Sequence, residues 1–375
     1  MNEQIIENSN DPGQPEKWYG SIQRELIEML AIAAFTAILV LIPALFTGID
    51  REFFYLRNLP LIAFNGLILY SFWLNKESRL IKIMLYGAVL VATGLYINLL
   101  PTGTGDSILI ACLHIPLMLW CFFGLTFVRF DYRNWQGRMD FIRISGELAI
   151  MTGLILLAGG VLTAITLALF EVIGMKIMGF YRDFIAIPGG VAAPVIAYYL
   201  IRTYPGITSK IAPVIARIFT PVVLVTLTVY LVSLPFSKTS ILESRELLII
   251  FNLMLLGVLA LIIFSISGIN REKSGRNMQI GLFLLAVLAI VINSIALIAI
   301  ISRLSDGLTP NRAVVLITNL LVFINLILIA GKLYRSGFKG AAMDNIEKTV
   351  AGYLTVYAVW TVIAIFVVPA VFGFR

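Results

Sequence analysis

The chain has 375 residues, of which 59% are hydrophobic and only 13% are charged. Soluble domains carry about 25% charged residues, so this composition and the mean hydropathy of +0.95 exclude a water-soluble protein and predict an integral membrane protein. The net charge of +7 does not indicate nucleic-acid binding, because the basic residues lie in short loops between apolar runs, where they determine topology. We therefore expect the lipid bilayer, and no nucleic acid, as a partner.

The first residues, MNEQIIENSNDPGQPEKWYG, are polar and include four acidic side chains. They lack the basic start and the short apolar core that are typical of a signal peptide. We expect residues 1–28 to form a polar tail with an amphipathic lead-in. The remainder, 29–375, is expected to form a single transmembrane helical domain.

Runs of about 20 apolar residues, the length of a membrane-spanning helix, follow one another along this domain. They predict an all-α integral membrane protein, a polytopic bundle of about eleven transmembrane helices. The predicted spans are 29–47, 56–74, 80–100, 107–128, 144–170, 184–201, 213–234, 246–268, 277–301, 310–331 and 350–371. The sixth span contains Pro188, Gly189, Gly190 and Pro194, which predict a kinked or re-entrant segment.

Lys and Arg are distributed unevenly between the two sides that these spans define. The side of the N-terminus holds 19 of the 28 basic residues, and the other side holds 9. Cytoplasmic loops carry such an excess. The sequence therefore predicts a cytoplasmic N-terminus, an extracytoplasmic C-terminus and an odd number of spans.

The fourth predicted span carries both cysteines and the only histidine. Cys112 and Cys121 are separated by about 13 Å along one helix, so we expect no disulfide, and one histidine cannot form a metal site. His114 lies about 12 Å from Asp106 on the same face. A hydrogen bond from His114 to a carbonyl freed by Pro116 is favoured, and a proton relay is the alternative.

The fifth predicted span contains a stripe of small residues, which favours close packing against another helix. Its members are Gly146, Ala149, Gly153, Gly160, Ala164 and Ala168. Glu171 continues the stripe, and Glu147 lies beside it, four residues after Arg143. We favour an Arg143–Glu147 ion pair that anchors the helix at the membrane interface. The alternative is an ion or proton site at the cytoplasmic end.

Arg217 lies about one turn inside the seventh predicted span, between Pro213 and Pro221. Two interpretations fit it equally well. The side chain extends to the cytoplasmic interface, or it binds an anion in a segment whose backbone the prolines interrupt. Its expected partners are Glu147 or a lipid phosphate.

Predicted spans eight and ten begin alike. One reads SRELLIIFNLML and the other NRAVVLITNLLV, so Asn252 follows Arg245, and Asn319 follows Arg312, at an interval of seven residues. Two helical turns separate the members of each pair, which therefore share a face. The pattern predicts two Arg/Asn faces at the extracytoplasmic end, either from a repeated helical hairpin or by chance.

The connector SRLSDGLTPNR before span ten predicts a tight helical hairpin. Gly307 suits a left-handed residue that closes the first helix, while Thr309 and Pro310 suit the N-cap and the first position of the next. Arg312 then lies in the first turn, where a cation opposes the helix macrodipole. We expect Asp306 to pair with it, and an external anionic ligand is the alternative.

Several stretches together resemble one known family. They are LHIPLMLW, ISGELAIMTGLILLAGGVLTAITLALFEVIG, IAPVIARIFTPVVL, SRELLIIFN and DGLTPNRAVVLITNLL, of which GLTPNR is the most specific. In this order they resemble the bacterial multi-pass membrane family catalogued as domain of unknown function 4153, over about residues 105–335. The resemblance implies a protein of the bacterial cytoplasmic (inner) membrane, and it implies no activity, substrate or cofactor.

Three classes of function remain. A transporter or permease is favoured, with a polar path between helices whose candidate residues are Asp106, His114, Glu147, Arg217, Arg245, Asn252, Arg312 and Asn319. A non-catalytic membrane subunit or regulator that packs against other membrane proteins is the alternative. An enzyme acting on a lipid-linked substrate ranks last, because its candidate acids and bases, Asp106, His114, Glu147, Glu171 and Asp306, fall on opposite sides of the membrane. The sequence contains no Walker, GxSxG, HExxH or lipidation motif, so no cofactor, metal or catalytic residue is predicted.

Overall fold

The computed structural model describes residues 15–46, 48–75, 80–101, 105–172, 175–204, 211–233, 245–267, 276–339 and 342–374. Within these ranges the chain is helical and contains no strand. This agrees with the predicted all-α fold.

The long helical segments of the described ranges are named in chain order. They are α1 Pro15–Val40, α2 Arg51–Leu74, α3 Leu80–Leu99, α4 Asp106–Phe127, α5 Trp135–Val172, α6 Met178–Thr203, α7 Ile211–Ser233, α8 Arg245–Ser267, α9 Arg276–Ser302, α10 Pro310–Lys339 and α11 Asp344–Val371. Eight of them, α2–α6 and α9–α11, are by length and composition apolar enough to cross a membrane in their described residues. The chain is therefore a multi-pass helical membrane protein, and α1, α7 and α8 overlap the other three predicted spans.

Several predicted boundaries differ from those of the structure, and two of the differences have a clear local cause. The first span was expected to continue to residue 47, but α1 ends at Val40 and a separate turn of helix, Ile42–Leu45, follows it. Pro43 causes the break, because it has no N–H for the carbonyl of residue 39. The fifth span was expected to begin at 144, whereas α5 begins at Trp135 because Asn134 caps it: the Gly137 N–H donates to Asn134 Oδ1 at 2.8 Å.

Two helices widen into a π turn shortly before a proline. In α6 the turn covers Arg182–Ala186 and precedes Pro188; in α11 it covers Ile363–Val367 and precedes Pro369. A proline leaves the carbonyl four residues earlier without its helical donor, which for Pro369 is the carbonyl of Ile365. The Tyr96 hydroxyl of α3 donates to that oxygen at 3.0 Å. The predicted sixth span is thus one continuous helix with a π turn, and not a re-entrant segment.

The helices form two packed groups, which α5 and α11 join. One apolar core is formed by α1–α4 and α6, and the other by α7–α11. Consecutive residues of α5 contribute to both, since Phe141 is buried in the first core and Ile142 in the second. Because neighbouring residues on a helix point about 100° apart, one helix can serve two groups.

Glycine permits the closest helix contact in the first group. A Cβ atom on Gly66 of α2 would lie 2.6 Å from Cγ2 of Thr36 in α1 and 2.9 Å from Cγ2 of Val195 in α6. Such distances are shorter than those that real Cβ atoms show, so a side chain at this position would force its neighbours to shift. Gly66 therefore sets how closely α1, α2 and α6 approach one another.

Candidate functional site

Three asparagines meet where α8, α9 and α10 pack together. Asn319 Nδ2 donates to Asn252 Oδ1 at 2.8 Å, and Asn293 Nδ2 donates to the backbone carbonyl of Asn319 at 3.0 Å. Asn293 is 0% exposed and Asn319 4%. The two asparagines that the sequence singled out on spans eight and ten are therefore in direct contact.

Asn293 was missed by the sequence analysis, although its position contains a signal. It lies nine residues before the end of α9 at Ser302, and Asn319 lies nine residues after the start of α10 at Pro310. The two helices form a hairpin, so equal distances from the turn place both amides at the same depth. A comparison of depths across the hairpin would have paired them.

One atom of this cluster has no hydrogen-bond partner. Asn293 Oδ1 is fully buried and accepts no hydrogen bond in the structure. The orientation of this amide is determined, because the Asn319 carbonyl can only accept and must therefore face Nδ2. An unsatisfied buried acceptor costs about 1–3 kcal/mol.

A second polar layer lies about 9 Å further along α10. Asn325 Nδ2 donates to the Tyr357 hydroxyl of α11 at 2.9 Å, and Asn325 Oδ1 is buried without a partner. The Tyr353 hydroxyl donates to the carbonyl of Leu321 at 2.8 Å, and the rings of Tyr353 and Tyr357 lie 5.1 Å apart. These contacts connect the two layers along α10.

A third unpartnered atom lies deeper in the same core. Ser265 Oγ, near the end of α8, is buried and makes no hydrogen bond in the structure. It lies about 20 Å along α8 from Asn252. We call the set that spans these three depths the polar column. Its residues are Asn252, Asn293, Asn319, Asn325, Tyr353, Tyr357 and Ser265.

The other buried unpartnered atoms of the described residues lie outside the column. They are Ser107 Oγ on α4, and Thr152 Oγ1 and Arg138 Nε on α5. They are not connected to one another by any hydrogen bond among the described residues, whereas Asn252, Asn293 and Asn319 of the column form a bonded network.

The predicted Arg143–Glu147 ion pair was wrong. Arg143 Nη2 instead contacts Asp140 Oδ1 at 3.0 Å, and both of these side chains are about half exposed. Asp140 lies at the exposed start of α5, so the guanidinium can pair with it without leaving the interface. Glu147 is only 7% exposed and makes no hydrogen bond or ion pair with a described side chain.

His114 donates from Nδ1 to the carbonyl of Ile110 at 2.8 Å. The favoured prediction of a bond to a backbone carbonyl is thus confirmed, but the carbonyl was wrongly assigned. Pro116 frees the carbonyl of Cys112, whereas His114 shares a carbonyl that already accepts within the helix. Both cysteines are free thiols. Asp106 is exposed at the first position of α4.

The hairpin before α10 has the predicted construction. Gly307 has φ +102°, and Thr309 Oγ1 accepts from the backbone N–H of Arg312 at 3.3 Å, with Pro310 at the first helical position. Arg312 Nη1 also donates to the carbonyl of Gly307 at 2.6 Å. The side chain of Asp306 lies outside the described residues, so the Asp306–Arg312 pair stays a prediction. The side chains of Arg217 and Arg245 also lie outside them.

Arg57 is a buried cation at the start of the predicted span 56–74, and the sequence analysis did not single it out. It is 3% exposed and donates to three carbonyls at the end of α3: those of Ile97, Leu100 at 3.0 Å and Pro101 at 2.7 Å. Its guanidinium carbon lies 4.2 Å from the centre of the Phe53 ring. The partial negative charge at a helix C-terminus stabilises such a cation, so Arg57 caps α3.

Asp183 forms a second charged contact that the sequence analysis missed. Its two carboxylate oxygens accept from Arg51 Nη1 at 2.6 Å and from Arg182 Nε at 2.7 Å. Both arginines are about half exposed, and Asp183 is 10% exposed. This contact ties the start of α2 to the start of α6, and it is far along the chain from the polar column.

Comparison with protein-family models, curated proteins and solved structures finds no match for this chain. The candidate site therefore rests on its own geometry.

Proposed function

We propose that the chain is a permease-like protein of the bacterial cytoplasmic membrane, in which the polar column forms part of a solute path. The observation that carries this proposal is the unpartnered acceptor Asn293 Oδ1. Asparagines whose only role is to hold membrane helices together form hydrogen bonds across the helices with their polar atoms. Here Asn293 keeps its oxygen unused, at a cost in stability that packing alone does not explain.

A solute path gives these atoms a use. A molecule that passes between α8, α9 and α10 replaces its lost water contacts with hydrogen bonds to Asn293 and then to Asn325. Both acceptors are enclosed between helices in this structure. The energetic cost of the unused oxygens favours a second state in which they are satisfied.

The chain offers a matched control for this proposal. Asn58 and Asn98, in the first helix group, form a mutual amide pair with distances of 3.0 Å and 2.8 Å. This pair has the chemistry of helix packing without a route through the second group. Asn293→Leu and Asn98→Leu are therefore compared for protein abundance and for their ability to complement a deletion strain.

The deletion strain is first profiled under ion, pH, osmotic and envelope stress to find a phenotype. We expect Asn293→Leu to abolish complementation at normal abundance, and Asn98→Leu to reduce it only in proportion to abundance. If the Asn293 variant also loses function only as its abundance falls, the cluster is structural and the proposal is wrong.

We also propose eleven spans with a cytoplasmic N-terminus and an extracytoplasmic C-terminus. Contacts between helix ends support alternating crossings. The end of α3 meets the end of α11 through Tyr96 and the Ile365 carbonyl. The end of α2 meets the end of α4, where Asn75 Nδ2 donates to the Thr126 carbonyl at 2.8 Å. If all eleven helices cross the membrane in alternation, the ends of α3 and α11 lie on one side and the ends of α2 and α4 lie on the other.

A reporter fused after Arg375 tests this topology. Reporter activity in the cytoplasm would mean that the chain has one span fewer.

The resemblance to the family of domain of unknown function 4153 supports the bacterial cytoplasmic membrane as the location. Membership in that family is part of the proposal. Fractionation of a bacterial host that expresses the tagged chain tests the location.

A second candidate function, a membrane subunit that packs against another protein, is favoured by α5. Most of its small-residue stripe is exposed in the described chain, and apart from the nearby backbone of α5 no atom lies within 4 Å of a Cβ placed on Gly153 or Gly160. A Cβ placed on Gly146, by contrast, would lie 3.0 Å from Cδ1 of Phe264 within the chain. If Gly160→Leu abolishes complementation at normal abundance while Asn293→Leu does not, this second function replaces the first.

A further inference from the structure

The unused atoms of the polar column indicate which chemistry a solute must present. Asn293 Oδ1 is an acceptor whose orientation is determined by the bond from Nδ2 to the Asn319 carbonyl. It can be satisfied only by a donor, which is an N–H group, an O–H group or a cation. Asn325 presents a second buried amide oxygen one layer deeper.

The described residues of the column disfavour a cation among these donors. The described side chains of the column are amides and hydroxyls, and none is charged at neutral pH. The core around them is apolar, and its buried residues include Leu255, Ile292 and Leu326. An ion in such surroundings lacks a counter-charge, and its loss of hydration is not repaid.

Two of the buried charged side chains elsewhere in the chain show how this protein can compensate an ion. Arg57 has three helix-terminal carbonyls and an aromatic ring, and Asp183 has two arginines. Both lie in the first helix group. The described residues of the column contain no comparable arrangement.

We infer that the solute of the polar column is uncharged and presents N–H or O–H donors, as urea-like amides and small polyols do. This inference rests on the proposed permease function and names its substrate class. A solute that only accepts hydrogen bonds does not pass, because the two amide oxygens cannot bind it.

The test uses the purified full chain in liposomes. Stopped-flow light scattering follows the entry of urea, of glycerol and of trimethylamine N-oxide, which is net-neutral and only accepts hydrogen bonds. Entrapped fluorescent indicators follow sodium, potassium and chloride. We expect urea or glycerol to enter faster than into empty liposomes, with the other solutes at background. Asn293→Leu should slow that entry about tenfold, as the loss of one hydrogen bond to the passing solute would do, and Asn98→Leu should not.

Asn325→Leu provides a second variant if Asn293→Leu fails to fold, and its effect should have the same sign. Entry of ions or of trimethylamine N-oxide at the rate of urea would overturn the substrate class while leaving the permease function in place. If no solute of either class enters above background, the permease function itself fails, and the inference fails with it.

Discussion

Asn319 of α10 and Asn252 of α8 are 67 residues apart in the chain, and their side chains form a hydrogen bond of 2.8 Å inside the bundle. The bond joins the first and third helices of a group whose middle helix, α9, contributes Asn293. The asparagine cluster therefore links three helices. The coupling energy between Asn252 and Asn319 can be measured.

Replacing either Asn252 or Asn319 with Leu should lower the free energy of unfolding. The loss in the double variant should be smaller than the sum of the two single losses, because either substitution already breaks the bond. Hydrogen bonds between membrane helices give coupling energies of about 0.6–1.7 kcal/mol. A double-mutant cycle on the free energy of unfolding in detergent measures this coupling. Additive costs of the two substitutions would mean that the amides do not interact.

Arg57→Leu should lower the free energy of unfolding by at least about 3 kcal/mol, since hydrogen bonds to charged groups contribute about 1.5–3 kcal/mol each. The substitution removes the donors to the carbonyls of Leu100 and Pro101 and leaves the end of α3 uncapped. Arg51→Leu serves as control. Arg51 is 45% exposed, so its loss should cost about 1 kcal/mol or less. Equal effects of the two variants would refute the capping role of Arg57.

Gly66→Ala should destabilise the first helix group by about 1–3 kcal/mol, the usual cost of overpacking. The new Cβ would lie 2.6 Å from Cγ2 of Thr36. Thr36→Ser removes that methyl and keeps the hydroxyl, which bonds to the Ala33 carbonyl at 2.8 Å, so it should partly rescue Gly66→Ala. Gly87→Ala, with no atom within 4 Å, is the neutral control. Thermal unfolding in detergent compares the unsubstituted protein with Gly66→Ala, with Gly66→Ala combined with Thr36→Ser, and with Gly87→Ala. If Gly66→Ala lowers the unfolding temperature no more than Gly87→Ala does, the helices separate easily to make room for the new methyl group.

Asp306→Asn and Arg312→Gln should have similar small effects, about 1 kcal/mol or less, if the two side chains pair. Arg312 also donates to the carbonyl of Gly307 at 2.6 Å, so the alternative is a bond to the backbone alone. In that case only the arginine substitution lowers the unfolding temperature, and the predicted ion pair is wrong.

Local features of the chain could be predicted well. The hairpin at Gly307, Thr309 and Pro310 has the expected turn and cap, because such features depend on residues within four positions. The N-cap at Asn134 is equally local, because the Asn134 side chain accepts from the backbone N–H of Gly137 three residues later. An asparagine at this position of the sequence therefore also predicts the start of α5. Likewise, two cysteines on one helix cannot meet, and both are free.

The composition and periodicity of the sequence by themselves determined a helical, multi-pass membrane protein, because each apolar run must satisfy its own backbone hydrogen bonds in lipid. Only the tertiary structure decided which polar groups meet. Arg57 reaches carbonyls 43 and 44 residues away, Asn293 reaches Asn319 across a hairpin, and Arg143 bonds Asp140 instead of Glu147. These choices depend on how helices are rotated against one another, and that rotation is set by side-chain packing over the whole bundle, which no local pattern encodes.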